Sequence, residues 1–134
     1  MLIFKLITTL GIVVLFSENP ALDCGTKYAD ACTNENKIVL ILNGKGDMNE
    51  NLYHEMGHNM FHYDQYVKAF IAPYPAPRYY FPEIYDTPEK QLNEKVADYF
   101  AMSRKYSDFP DKFPEINALF DKKIDMILSH KFYE

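Results

Sequence analysis
The chain opens on an apolar run, Leu2 to Phe16, that carries one charged residue, Lys5. Gly11 divides it into a helix-like piece, Leu2–Leu10, and a β-branched, strand-like piece, Ile12–Phe16. A second apolar run, Lys37–Leu42 (KIVLIL), reads as a strand closed by the turn residues Asn43-Gly44-Lys45-Gly46-Asp47. Asp47 or Asn49 then supplies the N-cap of a helix over residues 49–66. Residues 70–82 (FIAPYPAPRYYFP) are too rich in proline to be regular helix. Thr87-Pro88-Glu89 starts the next helix with a capping hydroxyl, a proline at the first helical position and an acid in the first turn. That helix should run to about Arg104. Pro110 and Pro114 punctuate a loop, and Ile116, Leu119, Phe120, Ile124 and Ile127 mark one side of a last amphipathic helix over 116–132.

A chain of 134 residues is one domain with room for a single core, so residues 1–134 are read as one unit. The formal charge of −5 argues against direct nucleic-acid binding, which needs a basic face. With 11 Tyr and 10 Phe, many tyrosines must sit at the surface or line a groove. A secretory signal would look much like residues 2–16, so secretion stands as the alternative to a cytoplasmic location. Against it, Ser17-Glu18-Asn19-Pro20 offers no small-x-small cleavage site, and fifteen apolar residues fall short of a membrane span. Cys24 and Cys32 are either a disulfide in an oxidising compartment or two reduced thiols.

The chemistry concentrates in His54-Glu55-Met56-Gly57-His58, an H-E-x-x-H pattern. On a helix, residues four apart share a face, so His54 and His58 can bring two imidazole nitrogens to one metal ion. Glu55, one step round, is poorly placed as a ligand but suits a general base acting on water held by that ion. Its neighbours Leu52, Tyr53, Met56, Gly57, Asn59 and Met60 carry no charge, as a helix half-buried beside a dry site requires. Downstream, Glu94 and Asp98 share a helix face. Glu94 can supply a third protein ligand, and Asp98 can accept the free N–H of a ligand histidine. His62 continues the four-residue series, but a third turn carries it too far from the ion, so it reads as a supporting or helix-packing residue. Asp64 is a weaker ligand candidate, with no matching motif downstream. The loop over 70–82 is either a linker or a cleft rim presenting Tyr74, Tyr79 or Tyr80, where a tyrosine or Arg78 could steady an oxyanion. His130 complements the dipole at the end of the last helix.

At these two stretches the chain resembles the gluzincin metallopeptidases, and most closely the ImmA/IrrE family. The residues that carry the likeness are His54-Glu55-Met56-Gly57-His58 and Glu94-Lys95-Val96-Ala97-Asp98-Tyr99-Phe100-Ala101. The family shows H-E-L-G-H and then an E-x-x-A-N-x-F-A-like helix, so Met56 and Asp98 depart from it. Asp at that place is what the thermolysin-like branch uses. The resemblance spans about residues 7–104, with the specificity in the two motifs. It implies an α+β, zincin-like domain whose small sheet packs on the H-E-x-x-H helix while a second helix carries the third ligand. The strand before the metal helix would line the cleft. The implied activity is a zinc-dependent endopeptidase, with Zn2+ held by His54, His58 and Glu94, Glu55 as the catalytic base, and Asp98 behind the ligands. The implied partner is a protein or peptide substrate in the cytoplasm, a helix-turn-helix repressor being the type that family members act on. Two other readings stay open: a zinc-bearing regulator or antitoxin-like protein without turnover, and a secreted small metallopeptidase.

Overall fold
The computed structural model describes residues 2–129, so His130 and the predicted end of the last helix lie outside it. Its described elements are seven helices and a small mixed sheet, an α+β arrangement. In chain order these are α1 (Leu2–Leu10), β1 (Val13–Ser17), α2 (Pro20–Cys24), β2 (Ala31–Asn34), β3 (Lys37–Ile41), α3 (Met48–Phe61), α4 (Gln65–Ile71), α5 (Pro88–Lys105), α6 (Phe109–Lys112) and α7 (Pro114–Ser129). No helix among them is long and apolar enough to cross a membrane.

The sheet order is β1-β3-β2, with β1 parallel and β2 antiparallel to β3. The apolar strand β3 is therefore central, and Ile38 through Ile41 are all buried because both sides of it are covered. Ile38 and Leu40 join the main core, while Val39, opposite Cys32, lies one step out of phase on the other face. Cys24 and Cys32 are joined as a disulfide, which fastens α2 to β2. Of the opening apolar run, Leu6 of α1 and Ile12 are buried in the core, while Phe4, Val13, Leu15 and Phe16 are exposed.

The two strongest helix-start signals act where the residues place them. Asp47 accepts a hydrogen bond from Asn49 N at 2.9 Å, and Thr87 accepts one from Lys90 N at 3.1 Å. The helix expected over 49–66 is two helices. At His62 the ladder ends with a bond to the His58 carbonyl, and Asp64 caps a fresh start by accepting from Val67 N. Phe70 and Ile71 consequently belong to α4, so the loop begins later than the prolines suggested. Pro110 and Pro114 sit in the first turns of α6 and α7, where a missing N–H costs nothing, instead of breaking a loop.

Behind the H-E-x-x-H segment, α3, α5 and α7 meet in an aromatic cluster. The rings of Phe61, Phe100 and Phe120 lie 5.3–5.6 Å apart, centre to centre. Gly57 makes the close approach of α3 and α5 possible: a Cβ there would stand 2.9 Å from the Ala97 Cα. The helix bearing the histidines and the helix bearing Glu94 are thereby drawn together.

Candidate metal centre
Successive turns of α3 present His54 and His58, and the turn of α5 opposite presents Glu94 and Asp98. The His54 and His58 Nε2 atoms are 3.1 Å apart. His54 Nε2 lies 3.2 Å from Glu94 Oε1, and His58 Nε2 lies 2.5 Å from Glu94 Oε2. One donor atom from each of the three residues falls within 4.8 Å of the others. A tetrahedral ion with bonds of about 2.0–2.1 Å sets its nitrogen ligands about 3.3 Å apart. The histidine pair already has that spacing, and Glu94 needs to open from His58 by less than an ångström, roughly, on the same bond lengths. This group could therefore hold a metal ion, and the donor set of two imidazoles and a carboxylate suits a divalent one.

Asp98 stands behind the trio: its Oδ1 is 2.8 Å from His54 Nδ1, which leaves Nε2 directed at Glu94. Its other oxygen accepts from Tyr80 Oη at 2.6 Å and from Arg78 Nε at 2.8 Å. Burial alone would lower the His54 pKa. The hydrogen bonds to Asp98 and Glu94 overcome it and raise the imidazole to about 10 in the metal-free protein. Burial pushes Glu94 upward, but the hydrogen bonds from His54 and His58 outweigh this and hold it well below the usual carboxylate range. Asp98 is lowered for the same reason, burial being outweighed chiefly by its bond to His54.

Glu55 is 8% exposed. It is not one of the three converging donors, but it lines the same cleft beside them. Burial raises its pKa, and the positive character of His54 and His58 only partly offsets that. A carboxylate so raised is a better proton acceptor near neutrality than an exposed one. The cleft encloses about 1770 Å³. One wall is β2, through Ala31, Cys32, Thr33 and Asn34. The wall expected of the strand over 37–42 is thus formed by β2: β3 has a neighbour on each side, whereas the outer edge of β2 carries no strand among the described residues. Asn59 of α3 donates to the Glu35 carbonyl in the β2–β3 turn, pinning that wall to the histidine helix.

No family model, curated protein or solved structure matches this chain.

His62 and Asp64 stand outside the converging group. His62 is exposed at the end of α3, with its ring against Tyr63, because the helix stops before another turn can aim it inward. Asp64 caps α4 and pairs with Lys123 at 2.9 Å. The loop before α5 divides its aromatics. Tyr74 packs among Phe70, Tyr99 and Phe113, Tyr79 meets Phe81 edge to face, and Tyr80 turns inward to Asp98. Tyr85 and Ile84, which the proline-tyrosine pattern did not single out, line the cleft instead. Arg78 faces Glu94 and Asp98, so its guanidinium is engaged by the acidic pair. No local pattern around Arg78 announces that partnership, because the partners lie sixteen and twenty residues away.

Proposed function
We propose that the chain is a zinc-dependent metalloendopeptidase of the zincin-like, ImmA/IrrE-resembling kind. The observation that carries this reading is the convergence of His54, His58 and Glu94 at the floor of an open cleft with buried Glu55 alongside. Those three residues would hold the ion. When bound, zinc supplies Lewis acidity, polarising a peptide carbonyl and acidifying an attacking water. Asp98 keeps His54 in the tautomer that offers Nε2. Glu55 would take the proton from the attacking water and return it to the departing amine nitrogen, a role its place in the cleft beside the three donors favours. The outer edge of β2, which carries no strand among the described residues, is where an extended peptide can lie.

The substrate on this reading is a protein or peptide. A repressor-type regulatory protein in the cytoplasm is the form suggested by the two-motif resemblance alone. The Cys24–Cys32 disulfide favours a second setting, a small peptidase of an oxidising compartment, since structural disulfides persist there and are rare in the reducing cytosol. Both settings share the chemistry.

The test uses zinc-loaded full-length chain on a quenched-peptide library, followed by mass spectrometry of the products. Glu55→Gln should retain one zinc per chain and lose hydrolysis by about 10²–10⁴-fold, the usual contribution of a general base. Glu94→Ala should lose the metal itself, read as zinc content after dialysis. A Glu55→Gln variant that cleaves at the wild-type rate removes Glu55 as the base. Zinc binding without cleavage of any peptide points to the non-hydrolytic regulator instead.

A further inference from the structure
The loop that enters α5 is tied to that helix at several points before it reaches the centre. Lys95 Nζ donates to the carbonyls of Ala72 and Tyr74 at 2.7 and 2.8 Å, and Tyr99 Oη donates to the Pro75 carbonyl at 2.6 Å. These anchors bring Arg78 directly over Glu94 and Asp98. Arg78 Nη2 lies 3.0 Å from Glu94 Oε1, and Nε lies 2.8 Å from Asp98 Oδ2. The guanidinium also stacks over the Tyr80 ring, 4.9 Å from its centre. Its carboxylate partners are nearly enclosed, with side chains 11% and 13% exposed, so this is not an ordinary surface pair.

Two features of this arrangement matter for a metal ion. First, Glu94 and Asp98 are like charges one helical turn apart, which repel unless a cation lies between them. Three carboxylates, Glu55, Glu94 and Asp98, balance a divalent ion only when one further positive charge is present, and Arg78 provides it. Secondly, the Arg78 bond falls on Glu94 Oε1, which also lies 3.2 Å from His54 Nε2, while Oε2 is at the shorter 2.5 Å from His58. With Oε1 engaged by an N–H donor, Oε2 would be the oxygen free to meet an ion. A coordination position would then stay open, the feature that separates catalytic from closed structural sites.

We infer that Arg78 is a positioning residue of the metal centre: its forked guanidinium spans Glu94 and Asp98, holding Glu94 to a single-oxygen contact and neutralising the pair. This rests on the zinc reading above. The fork is essential to it, because lysine carries the charge but cannot bridge two carboxylates in a plane.

The experiment measures zinc affinity by chelator competition, and the visible absorption of the cobalt(II)-substituted protein, for wild type, Arg78→Ala and Arg78→Lys. Arg78→Ala should bind zinc about 10–100-fold more weakly, the usual cost of losing an outer contact to a ligand. Its cobalt bands should weaken as Glu94 takes up two-oxygen coordination. Arg78→Lys should regain only part of the affinity and keep the altered spectrum. Metal-free melting curves check that each variant folds, and Arg78→Gln replaces Arg78→Ala if the alanine variant does not. Wild-type affinity and spectrum in the alanine or glutamine variant overturn the inference, and full recovery of both by lysine overturns the role of the fork. Failure of the wild type to bind zinc overturns the underlying reading of the site instead, so the two failures are separable.

Discussion
Gly57 shows how one residue sets the spacing of the whole centre. An added Cβ would meet the Ala97 Cα at 2.9 Å and the Phe100 Cβ at 3.2 Å, and the first of these is backbone that cannot rotate away. Alanine's better helix propensity returns about 1 kcal/mol, against about 1–3 kcal/mol for overpacking a tight contact. Gly57→Ala should therefore destabilise the fold by up to about 2 kcal/mol, seen as a lower urea midpoint at unchanged slope. It should also weaken zinc binding, because the displaced helix carries Glu94 one turn from Ala97. A glycine between two histidines of a candidate metal centre attracts notice in the sequence only as an uncharged position. Its function depends on what stands opposite, and Ala97 is forty residues away. Glu55, His54 and His58 were legible because their relation is confined to one helix turn. Glu94 and Asp98 were legible as a pair on one face, and the match between the two helices completes the site.

Capping chemistry makes α5 the best-specified helix in the chain. Thr87 accepts from Lys90 N, Pro88 occupies the first helical position, Glu89 sits in the first turn, and Arg104 and Lys105 lie in the last. Thr87→Ala should cost about 1 kcal/mol in denaturant unfolding, the typical value of an N-cap hydroxyl, while leaving zinc stoichiometry unchanged. A loss of bound metal in that variant would show that the first turn is coupled to the centre seven residues on. Elements without such signals escaped a local reading. The strand β2 (ACTN) lacks apolar alternation and becomes a strand through pairing with β3. The short α2 is set by Asn19, which accepts from Leu22 N, and by Gly25 at φ 79° after it. The break between α3 and α4 turns on Asp64, whose carboxylate caps the new helix while pairing with Lys123 of α7.

Across the whole molecule, the cleft lies between parts that the chain must bring back from a distance. One wall is β2, held to α2 by the Cys24–Cys32 bond across eight residues. The other is the loop before α5, held by Lys95 and Tyr99. Closing a loop of that size limits the unfolded chain by about 2–3 kcal/mol on the chain-entropy account. Reduction, or the double change Cys24→Ser with Cys32→Ser, should lower the unfolding free energy by about that amount. On the peptidase reading proposed above, hydrolysis by the reduced protein should fall with it. An unfolding midpoint that does not move with reductant would mean that the two sulfurs contribute no constraint.

The amino-acid sequence by itself determined what is written within a few residues: the caps at Asp47 and Thr87, the spacing of His54 and His58 on one face, and the shared face of Glu94 and Asp98. These depend on helix geometry and on hydrogen bonds reaching no further than the next turn. The tertiary structure alone decided that β3 is central and β2 forms the cleft wall, that Cys24 meets Cys32, and that Arg78 crosses to the acidic pair. Those contacts follow from burying the apolar faces of separate elements against one another, and that burial sets distances between residues whose neighbours in sequence carry no record of them.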